Sequence, residues 1–229
     1  MNIGIKDILQ RIKPFFILYL IVLCCCLAIK LAFSKDEIYF AVNTRNYPWA
    51  DYIAPYFTDM GNGWTIVALS GILVLYNYRI AFLMFTTWAV TSISVQIVKY
   101  IFDAPRPKLY FKDQLSKLHF VKGVEILSYH SFPSGHTVTA FSSALLITYL
   151  AKNKNWGILL LLIAILIGFS RMYLSEHFFE DVTAGSALGV FVAIFWISWI
   201  DSKKFLNMPM WNRGLLWGRS ESKVLSPKS

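Results

Sequence analysis

The sequence predicts an all-α integral membrane protein, a bundle of six transmembrane helices. Three observations carry this. Of 229 residues, 56% are hydrophobic and only 15% charged, and the mean hydropathy is +0.52, a balance foreign to soluble domains of this length. Several apolar runs approach the roughly 20 residues that cross a bilayer. Lysine and arginine are distributed unevenly between alternate connections, as expected of a membrane topology.

Residues 1–13 form a short basic head with Lys6, Arg11 and Lys13. Span one covers about residues 14–33. It lacks a convincing small-residue cleavage site and is expected to be retained rather than removed as a signal. Cys24, Cys25 and Cys26 are consecutive within it, face different directions on one turn and have no partners elsewhere, so they read as membrane packing. Lys30 near its end can snorkel to the interface. Residues 34–63 read as a polar, aromatic-rich loop. Tyr47, Trp49, Tyr52 and Tyr56 suit the headgroup layer, so part of this loop is expected on the membrane surface, where it could gate lipid entry.

Gly61-Asn62-Gly63 is a turn before span two, about 64–76. A tight Asn77-Tyr78-Arg79 connection leads to span three, 80–102. A long polar loop, 103–132, precedes span four, 133–151. A short basic turn, 152–155, leads to span five, 156–173. Span six covers 182–200, with Gly185 and Gly189 at the GxxxG spacing of close helix contact. The tail, 201–229, is basic and expected to be loosely ordered at its end. No repeat and no second domain is visible, so residues 1–229 read as one domain.

Six spans put both termini on one side. The segments on that side, 1–13, 77–79, 152–155 and 201–229, hold only Asp7, Asp201 and Glu221 as acids and carry the whole formal net charge of +9. The positive-inside rule makes that side cytoplasmic. Charge elsewhere is balanced, so no nucleic-acid partner is needed to explain the basicity.

The ends of spans three and five and the starts of spans four and six then meet on the outer face, and three polar clusters lie there. In the first, Lys99 sits in the last turns of span three, and Pro105 and Pro107 hold Arg106 in an extended segment. A point charge and a planar fork suit a phosphoryl group, although snorkelling interfacial cations would look the same. In the second, Ser131-Phe132-Pro133-Ser134-Gly135-His136, Pro133 fits a first helical turn. Ser134 and Gly135 would present a hydroxyl and a backbone N–H at the positive end of a helix, a ready anion site; a plain helix start with an incidental His is the other reading. In the third, Ser170 and Arg171 precede His177 and Asp181. Placed at i, i+4 on a helix, these two share a face and can hydrogen-bond. A carboxylate on one imidazole nitrogen leaves the other free as a nucleophile. Asp181 is also a good N-cap for span six. Glu176 and Glu180 are expected to face solvent. His119, His130, Lys108, Lys112, Lys117 and Lys122 in the outer loop read as a solvated or headgroup-facing surface, or as headgroup selection. No Cys is near and neither His has a carboxylate at ligand spacing, so no metal and no cofactor is expected.

Lys-x6-Arg-Pro, Pro-Ser-Gly-His and Ser-Arg-x5-His-x3-Asp, in this order, resemble the type 2 phosphatidic acid phosphatase / vanadium haloperoxidase superfamily, without a gap or substitution. Thr58-Asp59-Met60-Gly61 resembles a weaker feature of that family. The resemblance implies a membrane lipid phosphatase. His177 would be the nucleophile, forming a phosphohistidine, and Asp181 would orient it. His136 would protonate the leaving oxygen and then activate water. Lys99, Arg106, Arg171, Ser134 and the Gly135 N–H would hold the phosphoryl oxygens. Three cations and a helix N-terminus could replace the paired metals of many phosphatases, so metal-independent activity is expected.

The implied partners are the bilayer and a phosphorylated membrane lipid such as undecaprenyl diphosphate, phosphatidylglycerol phosphate, phosphatidic acid or a lipid A phosphate. The short chain looks bacterial, which places it in the inner membrane with a periplasmic site. Oligomeric state is open. A lipid phosphotransferase using the same intermediate, a vanadate-dependent haloperoxidase, and a non-catalytic phosphate-lipid binder or transporter are the alternatives. The six-span form argues against the haloperoxidase. Intact His136, His177 and Asp181 argue against mere binding, for which the cations alone suffice.

Overall fold

The structure is a computed structural model and describes residues 4–216. Its helices are α1 (Ile5–Arg11), α2 (Lys13–Ala32), α3 (Lys35–Asn43), α4 (Pro48–Met60), α5 (Gly63–Val74), α6 (Tyr78–Phe102), a single turn α7 (Pro107–Tyr110), α8 (Gly135–Leu150), α9 (Trp156–Tyr173) and α10 (Phe179–Ile200). No strand occurs among the described residues. Four helical stretches, Lys13–Ala32, Tyr78–Tyr110, Trp156–Tyr173 and Phe179–Ile200, are long and apolar enough to cross a membrane. α5, with 12 residues, and α8, with 16, are shorter.

α8 is the central helix, with α6, α9 and α10 packed around it. It is buried on nearly every side, including Thr137, Thr139, Ser142, Ser143 and Thr148. Hydroxyls survive there because the helix supplies acceptors: Ser142 donates to the Thr139 carbonyl at 3.1 Å and Thr148 to that of Ala144 at 2.7 Å. The glycine pair of α10 serves this packing. A Cβ on Gly189 would stand 2.6 Å from the Val138 carbonyl oxygen, and one on Gly185 2.7 Å from that of Ser134. Backbone therefore meets backbone, as the GxxxG spacing predicts. α2 lies outermost, with only Phe15 and Tyr19 buried and its cysteines at least partly exposed.

One sequence expectation is corrected. Residues 34–63 are not an open loop: they fold into α3 and α4. Ser34 Oγ accepts the Glu37 N–H at 3.3 Å while Glu37 Oε2 accepts the Ser34 N–H at 2.8 Å, a reciprocal capping box. Pro48 occupies the first turn of α4, where its missing N–H costs nothing. The tail from 201 to 216 is packed, and its end, expected to be loosely ordered, lies beyond that stretch. Leu206 is fully buried, and the Tyr78 N–H donates to the Arg213 carbonyl at 2.8 Å. The remainder of the tail, 217–229, lies outside the described residues.

Candidate active site

The three clusters meet at one end of the bundle, roofed by α3 and α4. Arg106 caps the single turn α7. Its backbone N–H donates to the Ser128 carbonyl at 2.9 Å and its Nε to that of Tyr129 at 3.0 Å. The Ser131 N–H donates to the Ala104 carbonyl at 2.9 Å. The first cluster thus clasps the segment leading into the second. The Ser134 N–H donates to the Asp181 carbonyl at 3.0 Å, which joins the second cluster to the third.

Ser134 is the N-cap of α8, so Pro133 lies just outside the helix rather than in its first turn. The fully buried Ser134 hydroxyl accepts from Thr137 Oγ1 at 2.9 Å. Gly135 and the half-buried His136 follow as the first two helical residues.

α9 ends at Tyr173, and Ser175 reverses the chain with a φ of +58°. The Glu176 and His177 N–H groups both donate to the Arg171 carbonyl, at 3.0 and 3.2 Å. α3 fixes the bend: Tyr39 Oη donates to Ser175 Oγ at 3.0 Å, as does Asn43 Nδ2 at 2.8 Å. His177 therefore precedes α10, and the expectation that it shares a helical face with Asp181 is corrected. Asp181 is the third residue of α10, not its N-cap, and folds back. Its Oδ2 accepts the Phe178 N–H at 2.8 Å and the Ser131 hydroxyl at 2.5 Å, and lies 3.4 Å from His177 Nδ1. Helix-capping and histidine-facing roles coexist on one oxygen. Nε2 is the ring nitrogen left over. Burial, then the nearby Arg106, Arg171 and Lys99 charges, hold the imidazole well below its ordinary pKa.

Arg106 and Arg171 are both buried. Arg171 donates from Nη1 to Thr58 Oγ1 at 2.7 Å, a contact at the stretch singled out before span two, and its Nε has no partner among the described residues. Lys99 is buried as well and gives its ammonium to the His130 carbonyl. Beside it opens a cavity of about 220 Å³, lined by Gln96, Lys99, Tyr100, Arg106, Tyr129 and His130 among others.

Glu176 does not face solvent. Its residue is 3% exposed, and Oε2 pairs with both Arg106 Nη1 and Arg171 Nη2, the latter at 3.1 Å. Burial pushes its carboxyl up, against the two guanidiniums. Glu180 is also tied, to Lys30 at 3.1 Å and Lys35 at 2.8 Å. His119 and His130 each meet a carboxylate from elsewhere, Asp51 at 2.9 Å and Asp103 at 3.1 Å. The sequence places Ser131 at the head of the second cluster without giving it a role, and gives no signal for Asn43. Among the described residues no three His, Cys, Asp or Glu side chains stand close enough to hold a metal ion.

Comparison with known proteins bears on the family. The chain is 40% identical over 74 residues to the bacitracin transport permease protein BcrC of Bacillus licheniformis, a stretch covering 32% of this chain and only 35% of that relative's length. It is 24% identical over 200 residues to the undecaprenyl-diphosphatase of Sulfolobus acidocaldarius, covering 82% and 89% of the two chains. The fold matches the crystal structure of a transmembrane PAP2-type phosphatidylglycerolphosphate phosphatase from Bacillus subtilis with a TM-score of 0.59 and 25% identity, over 85% of this chain and 98% of that one. The sequence model of the PAP2 superfamily matches residues 80–205, more than half of the chain, and all three clusters fall inside that range. The resemblance read from the motifs is thereby borne out, and the chain belongs to the PAP2 superfamily.

Proposed function

We propose that the protein is a membrane lipid phosphatase that hydrolyses off the terminal phosphate of a lipid monophosphate or diphosphate through a phosphohistidine. The observation that carries this is the His177–Asp181–Ser131 arrangement beside two buried guanidiniums. With Nδ1 turned to Asp181, Nε2 attacks phosphorus in line. The P–O bond to the lipid breaks, and His136 gives the leaving oxygen its proton. His136 then takes a proton from water, whose oxygen displaces His177 and releases inorganic phosphate. Asp181 stabilises the imidazolium character of the ring, and Ser131 orients Asp181. Arg106, Arg171, Lys99, Ser134 and the Gly135 N–H hold the phosphoryl oxygens. Positioning and charge neutralisation are what phosphoryl transfer needs, and three cations supply them without a metal.

The whole described chain acts as one unit in this reading, with six membrane passages, α2, α5, α6, α8, α9 and α10. The termini are cytoplasmic and the site is at the outer leaflet of a bacterial inner membrane. An apolar groove of about 330 Å³, lined by Leu23, Leu27, Phe179 and Ala187 and edged by Lys30 and Glu180, runs beside the site between α2 and α10. It supports an acyl or prenyl chain as the body of the substrate. The relatives' names point to undecaprenyl diphosphate and phosphatidylglycerol phosphate as the first lipids to try.

The test is phosphate release by the purified protein in detergent, from a panel of lipid mono- and diphosphates, with EDTA present. Turnover is expected to persist in EDTA and to fall more than about 1,000-fold in His177→Ala. Activity lost in EDTA and restored by magnesium overturns the metal-free reading. Unchanged turnover in His177→Ala overturns the nucleophile.

A further inference from the structure

The phosphate site proposed above already contains an anion of its own. One oxygen of Glu176 touches the guanidiniums of both Arg106 and Arg171. All three residues are nearly inaccessible, at 3% to 6% exposure. The carboxylate is placed there by backbone, because the Glu176 and His177 N–H groups share the Arg171 carbonyl. It belongs to the residue immediately before His177, so it cannot stand far from the reacting centre. The arrangement has a physical reason. Two buried guanidiniums without an anion are strongly unfavourable, and a carboxylate satisfies them while no ligand is bound. The same carboxylate opposes any second anion brought to the same pair. Arg171 nevertheless keeps one buried donor, Nε, without a partner among the described residues. The pair can therefore accept an oxyanion with more oxygens than a carboxylate offers.

Resting on the phosphate-site reading, we infer that Glu176 is an internal stand-in for the phosphoryl group. It fills the Arg106–Arg171 cradle of the empty protein, and a tetrahedral oxyanion enters only by taking these guanidiniums from it. Glu176 thus sets the affinity of the site for phosphate, both the substrate's terminal group and the released product. An occupant of this kind weakens product inhibition, because free phosphate has to displace a tethered competitor, whereas a lipid also gains from its apolar chain.

The experiment is calorimetric titration of inorganic phosphate into the detergent-solubilised protein near pH 8, wild type against Glu176→Gln. The amide keeps the shape and loses the charge. The variant is expected to bind phosphate at least about tenfold more tightly. Equal or weaker binding by the variant, with clear binding by the wild type, overturns this inference and leaves the phosphate-site reading intact. No saturable binding by either protein overturns both. If Glu176→Gln cannot be purified without an anion, it is prepared in phosphate. Recovery that depends on phosphate supports the stand-in role. A variant that stays unfolded in phosphate counts against it, because the guanidiniums then need the carboxylate itself.

Discussion

At neutral pH the His177 ring is uncharged. It is buried at 1% exposure, and three cations surround it. Both effects disfavour the imidazolium. On the proposed mechanism, a depressed pKa means that the nucleophilic form persists as the pH falls. The acid limb of kcat/KM, which reports the free enzyme, is therefore expected below the ordinary value of 6.5, after correction for ionisation of the lipid phosphate. A limb at or above that value, measured on a lipid monophosphate, removes this account of the ring. Sequence made the residue legible but not its setting. The His-x3-Asp spacing fits a helical pair, yet His177 precedes the helix and Asp181 reaches back. Ser131 and Glu176 complete the setting from 50 residues and 5 residues away along the chain, respectively to Asp181 and Arg171. No periodicity signals such contacts.

At the scale of elements, α3 and α4 matter more than their composition suggests. α3 packs against α9 and α10. Asn43, 1% exposed, donates to Ser175 Oγ and, at 2.9 Å, to the His119 carbonyl. Its Oδ1 accepts the His119 N–H at 2.9 Å. One amide thereby fixes both the bend that presents His177 and the outer loop. Each buried group left unpaired by Asn43→Ala costs about 1–3 kcal/mol. The variant is expected to lose at least about tenfold in kcat, with KM for the lipid little changed. A rise in KM alone, at unchanged kcat, assigns α3 to lipid entry instead. The sequence reading missed the helix, although Ser34-x-x-Glu37 is the local signal of a capping box. Its partners lie 132 and 76 residues away, beyond any local pattern.

At the scale of the whole molecule, the end opposite the site is closed by an ion pair on a buried carboxylate. Arg79 gives Nη2 to both oxygens of the fully buried Asp201, at 2.6 and 2.7 Å, and Tyr149 adds its hydroxyl at 2.5 Å. The junctions of α6, α8 and α10 are held together there. The proposed orientation puts that end in the cytoplasm. In a background with Cys24, Cys25 and Cys26 replaced by serine, Lys122→Cys is expected to react with a membrane-impermeant maleimide on intact cells, and Lys152→Cys only after lysis. The opposite pattern inverts the topology.

The sequence by itself determined the class of molecule, the family, the approximate bounds of the long apolar helices and the three polar clusters that the structure brings together. Those follow from run length, turn residues and three motifs, all local quantities. Span five is found over 156–173 as expected, and the glycines of α10 meet α8 as their spacing implies. Tertiary structure alone decided which charges meet. Glu176 between Arg106 and Arg171, Glu180 between Lys30 and Lys35, and Asp51 beside His119 all join separate elements. The reason is energetic. A carboxylate beside apolar helices is tolerated only if a partner neutralises it, and that partner is found in space rather than along the chain.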